Sequence, residues 1–161
     1  MSSTPRLLDL IKNSPLSQDL NERDCGFLEE VMCTRTLGKD EVLLREGETD
    51  YMLHFVVSGR LAVTKDAAGE SVTLHIMGPG GLAGEMGFVD GAPHSASLIA
   101  LEEVTVLCLE REAFEKLVPE HPNLTYHFMR AIVRLGHTTL KRMNMQFVEM
   151  NNYITKTHGR Y

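Results

Sequence analysis

GEMGFVDGAPHSASLIA, residues 84–100, is the most informative segment of this 161-residue chain. Its glycines allow the backbone to approach a ligand closely and to adopt positive φ angles. A short helical turn beginning near Glu85 would direct free backbone N–H groups at an anion, and Ser95 adds a hydroxyl group. Glu85 would repel a phosphate, but its carboxylate can accept hydrogen bonds from a sugar hydroxyl of the same ligand. The segment therefore predicts a loop that holds a nucleotide whose phosphate and ribose lie close together.

Short strands surround this loop, from about residue 36 to about residue 112. The turn at residues 66–69, DAAG, joins two of them. In SVTLHIM, residues 71–77, the alternation predicts that Val72, Leu74 and Ile76 face one way and that Thr73 and His75 face the other. Several short strands at this spacing are typical of a β-sandwich, roll or barrel.

Helical patterns flank the strands on both sides. Apolar residues at positions 7–11 predict a first helix, and Ser17 is a candidate N-cap for a second. Near the other end, an apolar stripe from Leu124 to Ile154 predicts one long amphipathic helix. Thirty helical residues span about 45 Å, which exceeds the width of a small β-domain. We therefore expect part of this helix to pair with a second copy of the chain in a homodimer.

Composition limits the function further. The net charge of −6 argues against general nucleic-acid binding, because no excess of cations is available for phosphates. The N-terminal segment contains no apolar run typical of a secretory signal, and no run is long enough to cross a membrane. Three cysteines without CxxC spacing favour reduced thiols. These features predict a cytoplasmic protein that does not enter membranes.

The order of the segments resembles the cyclic nucleotide-binding domain, most closely that of the catabolite activator protein (Crp/Fnr) family of bacterial regulators. The resemblance includes Gly47 in EGE, Gly59 in VVSGRL and the run PGGLAGEMGF. It implies a mainly β fold with flanking helices: an eight-stranded, jelly-roll-like β-roll, or double-stranded β-helix, with a long C-terminal dimerisation helix. The implied division is residues 1–35 for N-terminal helices, 36–112 for the β-roll core and 113–161 for the C-terminal helices. The implied ligand is cyclic AMP or cyclic GMP.

The resemblance also assigns roles to single residues. Glu85 falls where the family contacts the ribose 2′-hydroxyl, and Ser95 falls where it contacts the cyclic phosphate. A threonine of the dimer helix reaches the base in that family, and Thr139 falls there with Thr138 beside it. The full predicted ligand-binding set is Gly84, Glu85, Met86, Gly87, His94, Ser95, Ala96, Thr138 and Thr139.

His94 is where the chain departs from the family pattern, which has arginine at this position. An arginine supplies a permanent charge and a bidentate fork that histidine lacks. A hydrogen bond to a charged group contributes about 1.5–3 kcal/mol, so its loss should weaken binding by roughly ten- to a hundred-fold. Only the protonated ring can supply a cation, so we expect binding to be weak and favoured by acid.

The resulting functional prediction is a stand-alone regulatory, ligand-sensing domain that is not an enzyme and signals through a partner protein. Because the sequence ends at Tyr161, shortly after the long helix, we expect no DNA-binding domain. We expect neither a cofactor nor a metal. His54 and His75 lie in strands and could point into the roll, but the HxH pair of a cupin-like metal enzyme is missing. Such an enzyme, and a ligand-free dimerisation module, stay open as alternatives.

Overall fold

A computed structural model describes residues 5–158, and eight β-strands form its middle part. The strands are β1 (Met32–Leu37), β2 (Val42–Leu44), β3 (Met52–Ser58), β4 (Leu61–Ala67), β5 (Glu70–Met77), β6 (Leu82–Ala83), β7 (Ser97–Ala100) and β8 (Val104–Glu110). The helices are α1 (Leu7–Lys12), α2 (Glu22–Val31), α3 (Glu85–Asp90), α4 (Arg111–Glu115) and α5 (Pro122–His158), with a 3₁₀ helix at Pro15–Gln18.

The strands form two antiparallel four-stranded sheets, with the orders β1-β8-β3-β6 and β2-β7-β4-β5. The predicted eight-stranded roll with flanking helices is confirmed, and its two sheets do not close into a barrel. Aliphatic side chains from both sheets fill the space between them, among them Leu37, Leu44, Val56, Leu61, Val63, Leu98, Val104 and Val106. Burial of this apolar surface holds the two sheets together.

Strand β5 contains a β-bulge that changes which side chains face the interior. His75 pairs with Val63 of β4, but Thr73 pairs with the next residue, Thr64, so Leu74 is an extra residue in the ladder. Residues opposite each other share a face of the sheet. His75 therefore lies on the interior face with Val63, as its strand position allowed.

The same bulge overturns the predicted alternation along β5. Val72 pairs with Lys65, whereas Ile76 pairs with Ala62. Lys65 and Ala62 are an odd number of residues apart on a regular strand, so they lie on opposite faces. Val72 and Ile76 therefore also lie on opposite faces, as do Thr73 and His75, and the prediction that each pair shares a face is wrong.

The central strands β3 and β8 of sheet β1-β8-β3-β6 are buried on both faces because the helices cover their outer side. Leu53 and Phe55 of β3 and Leu107 and Leu109 of β8 pack in one cluster with apolar residues of α2, α4 and α5, and Phe114 and Phe128 lie 4.5 Å apart between ring centroids. Helix α2 begins at Glu22 rather than after Ser17 as predicted. Ser17 lies in the 3₁₀ helix, and Asn21 and Asp24 form a capping box instead, with Asn21 Oδ1 accepting from the Asp24 N–H at 2.8 Å.

Helix α5 extends over 37 residues, so the predicted long helix is confirmed. Its first half packs on the roll and is held by polar contacts: Arg134 Nε donates to Asp19 Oδ2 at 2.6 Å, and His127 Nδ1 lies 2.8 Å from Asp24 Oδ2. In its second half the apolar side chains are exposed: Leu140, Met143, Met145, Phe147, Val148, Met150, Tyr153 and Ile154. Within residues 5–158, no helix combines the length and the apolarity needed to cross a membrane.

Candidate ligand-binding site

The loop predicted to hold a ligand begins with the short helix α3, which starts at Glu85 as the sequence suggested. Gly84 caps it with φ of 81°, and a Cβ atom there would lie 2.4 Å from the carbonyl oxygen of Met52. A Cβ at Gly87 would lie 2.6 Å from the carbonyl oxygen of Asp50. No side chain fits at either position, so these glycines allow α3 to pack directly on the start of β3.

The far end of the loop is fixed to the connection between β2 and β3. The N–H of His94 donates to the carbonyl oxygen of Glu48 at 2.9 Å, and the N–H of Gly47 donates to the carbonyl oxygen of His94 at 2.8 Å. Two reciprocal backbone hydrogen bonds set the position of residue 94, and with it the position of the Ser95 backbone that follows.

The side chain of His94 is buried and contacts a carboxylate. Its Nε2 lies 3.3 Å from Oδ1 of Asp50, and the same oxygen accepts the Met52 N–H at 3.1 Å. When the imidazole is protonated, its nearest anionic partner is therefore Asp50 of the protein itself.

A cavity of about 680 Å³ lies between this loop, the sheet that contains β4 and β5, and the middle of α5. Seven of the nine predicted residues line it: Gly84, Glu85, Met86, His94, Ser95, Ala96 and Thr139. Gly87 is buried under the loop, and Thr138 is exposed, with its hydroxyl bonded to the carbonyl oxygen of Arg134 at 3.4 Å. The structure thus brings the loop residues and Thr139 together around one space, which does not include Gly87 or Thr138.

The rest of the cavity wall is mostly apolar. Strands and helix contribute Leu44, Val63, Leu74, Met77, Leu82, Ala83, Leu98, Met143, Phe147 and Met150. Apolar walls with a few polar groups are typical of sites for small organic ligands.

The predicted set omits four polar residues of the wall: Lys65, His75, Arg142 and Gln146. Lys65 Nζ donates to the carbonyl oxygen of Ser95 at 2.9 Å and to Oε1 of Glu46 at 2.8 Å. This cation is therefore adjacent to the predicted phosphate contact, although Glu46 already balances its charge. The one signal in the sequence for Arg142 is its position, one turn after Thr139 on the predicted helix.

His75 and Arg142 carry buried nitrogen atoms without hydrogen-bond partners. These atoms are His75 Nε2 and Arg142 Nε. Burial lowers the pKa of His75, and the nearby positive charge of Arg142 lowers it further. Because a buried polar group without a partner is costly, both atoms indicate that the cavity accommodates a polar ligand.

Behind the loop, β3 and β8 place His54 beside Cys108. His54 Nδ1 lies 3.2 Å from Cys108 Sγ, and burial lowers the pKa of His54 to about 4. Cys25 and Cys108 are buried thiols, while the thiol of Cys33 is exposed. Across residues 5–158, no group of three or more His, Cys, Asp or Glu side chains is arranged to hold a metal ion.

Comparison with known proteins agrees with this geometry. A sequence model of the cyclic nucleotide-binding domain family matches residues 34–121. The cyclic AMP receptor protein of Thermus thermophilus is 29% identical over 147 residues, which are 89% of this chain and 68% of that protein. The CRP-like cAMP-activated global transcriptional regulator of Mycobacterium tuberculosis is 25% identical over 120 residues, and this chain spans only 54% of its length.

A solved structure shares the fold. The cyclic nucleotide-binding domain from Methylobacillus flagellatus superimposes with a TM-score of 0.80 at 24% identity, over 90% of this chain and 82% of that one.

Proposed function

The chain belongs to the cyclic nucleotide-binding domain family, and we propose that its cavity binds a cyclic nucleotide as the signal of a regulatory, non-enzymatic protein. The observation that carries this proposal is the cavity of about 680 Å³, which combines the loop residues with two unpartnered polar nitrogens of the opposite wall. A cyclic nucleotide fits within this space, and its hydrogen-bonding groups would supply the missing partners.

In this proposal, each end of the loop contacts a different part of the ligand. Glu85 accepts a hydrogen bond from the ribose 2′-hydroxyl, and Ser95 donates to the cyclic phosphate from its hydroxyl and its N–H. The first N–H groups of α3 have no partner within the helix and carry partial positive charge, which favours an anion nearby. Thr139, from α5, lies on the side of the base.

The affinity for a cyclic nucleotide should be weak because His94 stands where the family has an arginine, and its Nε2 already contacts the carboxylate of Asp50. We expect the loss of the guanidinium fork to cost roughly ten- to a hundred-fold in affinity, as argued from the sequence. The cavity and the ribose contact would remain in place.

Calorimetric titration of the protein with cyclic AMP and with cyclic GMP tests the proposal directly. We expect measurable binding that weakens in Glu85→Gln, which removes the charge but keeps the shape of the side chain. Glu120→Gln, an exposed position outside the cavity wall, is the matched control and should bind like the parent. If neither the parent nor a His94→Arg variant binds either nucleotide, the proposal is wrong.

We also propose that α5 pairs with a second copy of the chain, and that ligand binding is transmitted to a partner protein in the cytoplasm. Support comes from the exposed apolar side chains of the second half of α5, where Phe147 is 59% exposed and Met145 66% exposed. A group of exposed apolar side chains is typical of a surface that another protein covers. Light scattering at micromolar concentration should give twice the monomer mass, whereas a clean monomer would exclude the dimer.

A further inference from the structure

Two buried side-chain nitrogens lack a hydrogen-bond partner in the part of the chain that the structure describes, and both belong to the cavity wall. They are Nε2 of His75, on β5, and Nε of Arg142, on α5. The two residues line the same cavity, and the positive charge of Arg142 contributes to lowering the pKa of His75. Together they form a polar patch. Thr139, one turn earlier on α5, donates its hydroxyl to the carbonyl oxygen of Leu135 instead of contacting either nitrogen.

The register of β4 and β5 separates this patch from the Ser95 end of the cavity. His75 lies opposite Val63, and Lys65, two residues further along β4 on the same face, reaches the carbonyl oxygen of Ser95. Diagonal neighbours of this kind have Cα atoms about 7–8 Å apart. A nucleotide with its phosphate at Ser95 and its ribose at Glu85 would therefore present its base to His75 and Arg142.

The chemistry of the patch restricts which base edge it can bind. A guanidinium donates hydrogen bonds and accepts none. Arg142 also forms no ion pair within the described residues, so no carboxylate of the protein takes up its charge there. The ligand atoms that face Arg142 must therefore be acceptors.

We propose that Arg142, with His75 as a second donor, makes the cavity selective for a guanine-type base over adenine; this inference rests on the proposed function. Guanine has two acceptors, O6 and N7, on one edge, and an arginine fork binds both. Adenine has N7 on that edge, but its 6-amino group is a donor and opposes the guanidinium. His75 donates to the same edge when its Nε2 carries the proton.

Titrations with cyclic GMP, cyclic IMP and cyclic AMP test this selectivity. Cyclic IMP keeps O6 and N7 but lacks the 2-amino group, so it should bind like cyclic GMP if the contact is to O6 and N7. We expect both to bind roughly ten-fold more tightly than cyclic AMP. In Arg142→Met, which keeps an unbranched apolar stem and removes the guanidinium donors, the affinities for cyclic GMP and cyclic IMP should fall to that for cyclic AMP.

Lys141→Met is the matched control, because it removes an exposed cation from the adjacent position outside the cavity wall and should keep the selectivity. Thermal unfolding of each variant verifies that it is folded. Equal affinity of the parent for all three nucleotides, or a preference for cyclic AMP, would overturn the inference and leave the proposed function intact. Absence of binding in the parent and in His94→Arg would overturn both.

Discussion

Nε2 of His94 lies 3.3 Å from Oδ1 of Asp50, and the side chain of His94 is only 5% exposed. The residue expected to meet the ligand phosphate thus already has an anionic partner within the protein. A histidine can contribute one such contact through this nitrogen, whereas the five donors of an arginine could contact Asp50 and a phosphate together.

Replacing His94 with arginine should therefore strengthen cyclic nucleotide binding by roughly ten- to a hundred-fold. Calorimetric titration of parent and variant at the same pH measures the difference. His94→Gln controls for the loss of the imidazole and should bind no better than the parent. Unchanged affinity in the arginine variant would mean that residue 94 does not face the phosphate.

Gly84→Ala should destabilise the protein and weaken ligand binding. The backbone there has φ of 81°, and the new Cβ would lie 2.4 Å from the carbonyl oxygen of Met52, so the loop must shift. We expect a loss of about 1–3 kcal/mol in the free energy of unfolding, measured with urea. Gly136→Ala is the matched control, because it is helical with open space around it, and it should stabilise by about 0.5–1 kcal/mol.

His54 should make the fold sensitive to acid. Its pKa is lowered to about 4 in the folded protein, while the unfolded chain binds a proton near the ordinary value of 6.5. The contribution of neutral, buried His54 to the free energy of unfolding is thus fully present above pH 6.5 and is lost as the pH falls toward 4. The loss is about 1.4 kcal/mol per pH unit and about 3 kcal/mol over the window.

Urea unfolding at several pH values between 6.5 and 4 would measure this slope. His54→Gln cannot bind the proton, so its stability should depend less on pH in that window, whatever its absolute stability. A variant with the same slope as the parent would show that His54 is not the group that titrates.

The three thiols should differ in reactivity. Cys33 is exposed, whereas burial raises the pKa of Cys108 to about 12 and also raises the pKa of Cys25. A disulfide reagent such as DTNB should therefore modify one thiol rapidly in the native protein and the other two only on unfolding. Cys33→Ser should remove the rapid phase, and Cys25→Ser should leave it unchanged.

The sequence was sufficient for the architecture because its signals are local. Strand alternation and turn residues predicted a sandwich, roll or barrel, the family resemblance implied the roll, and the glycine positions and the helical stripe predicted helix α3 and the long α5. The face of Val72 was predicted wrongly because a bulge depends on pairing with β4, which a single strand does not reveal. The roles of His75 and Arg142 depend on which neighbours fail to satisfy them, and that is a property of the packed cavity wall alone.

The bulge in β5 also bears on length variation in related genes. Losing one codon from a strand normally exchanges its two faces. At residue 74 it would not, because Thr73 and His75 already pair with adjacent residues of β4. A homologue with a gap aligned at Leu74 would thus keep its histidine inside, whereas a gap within β4, at Thr64, would add to the mismatch. A deletion at residue 74 would therefore leave the two faces of β5 unchanged and remove only the Leu74 side chain from the cavity wall.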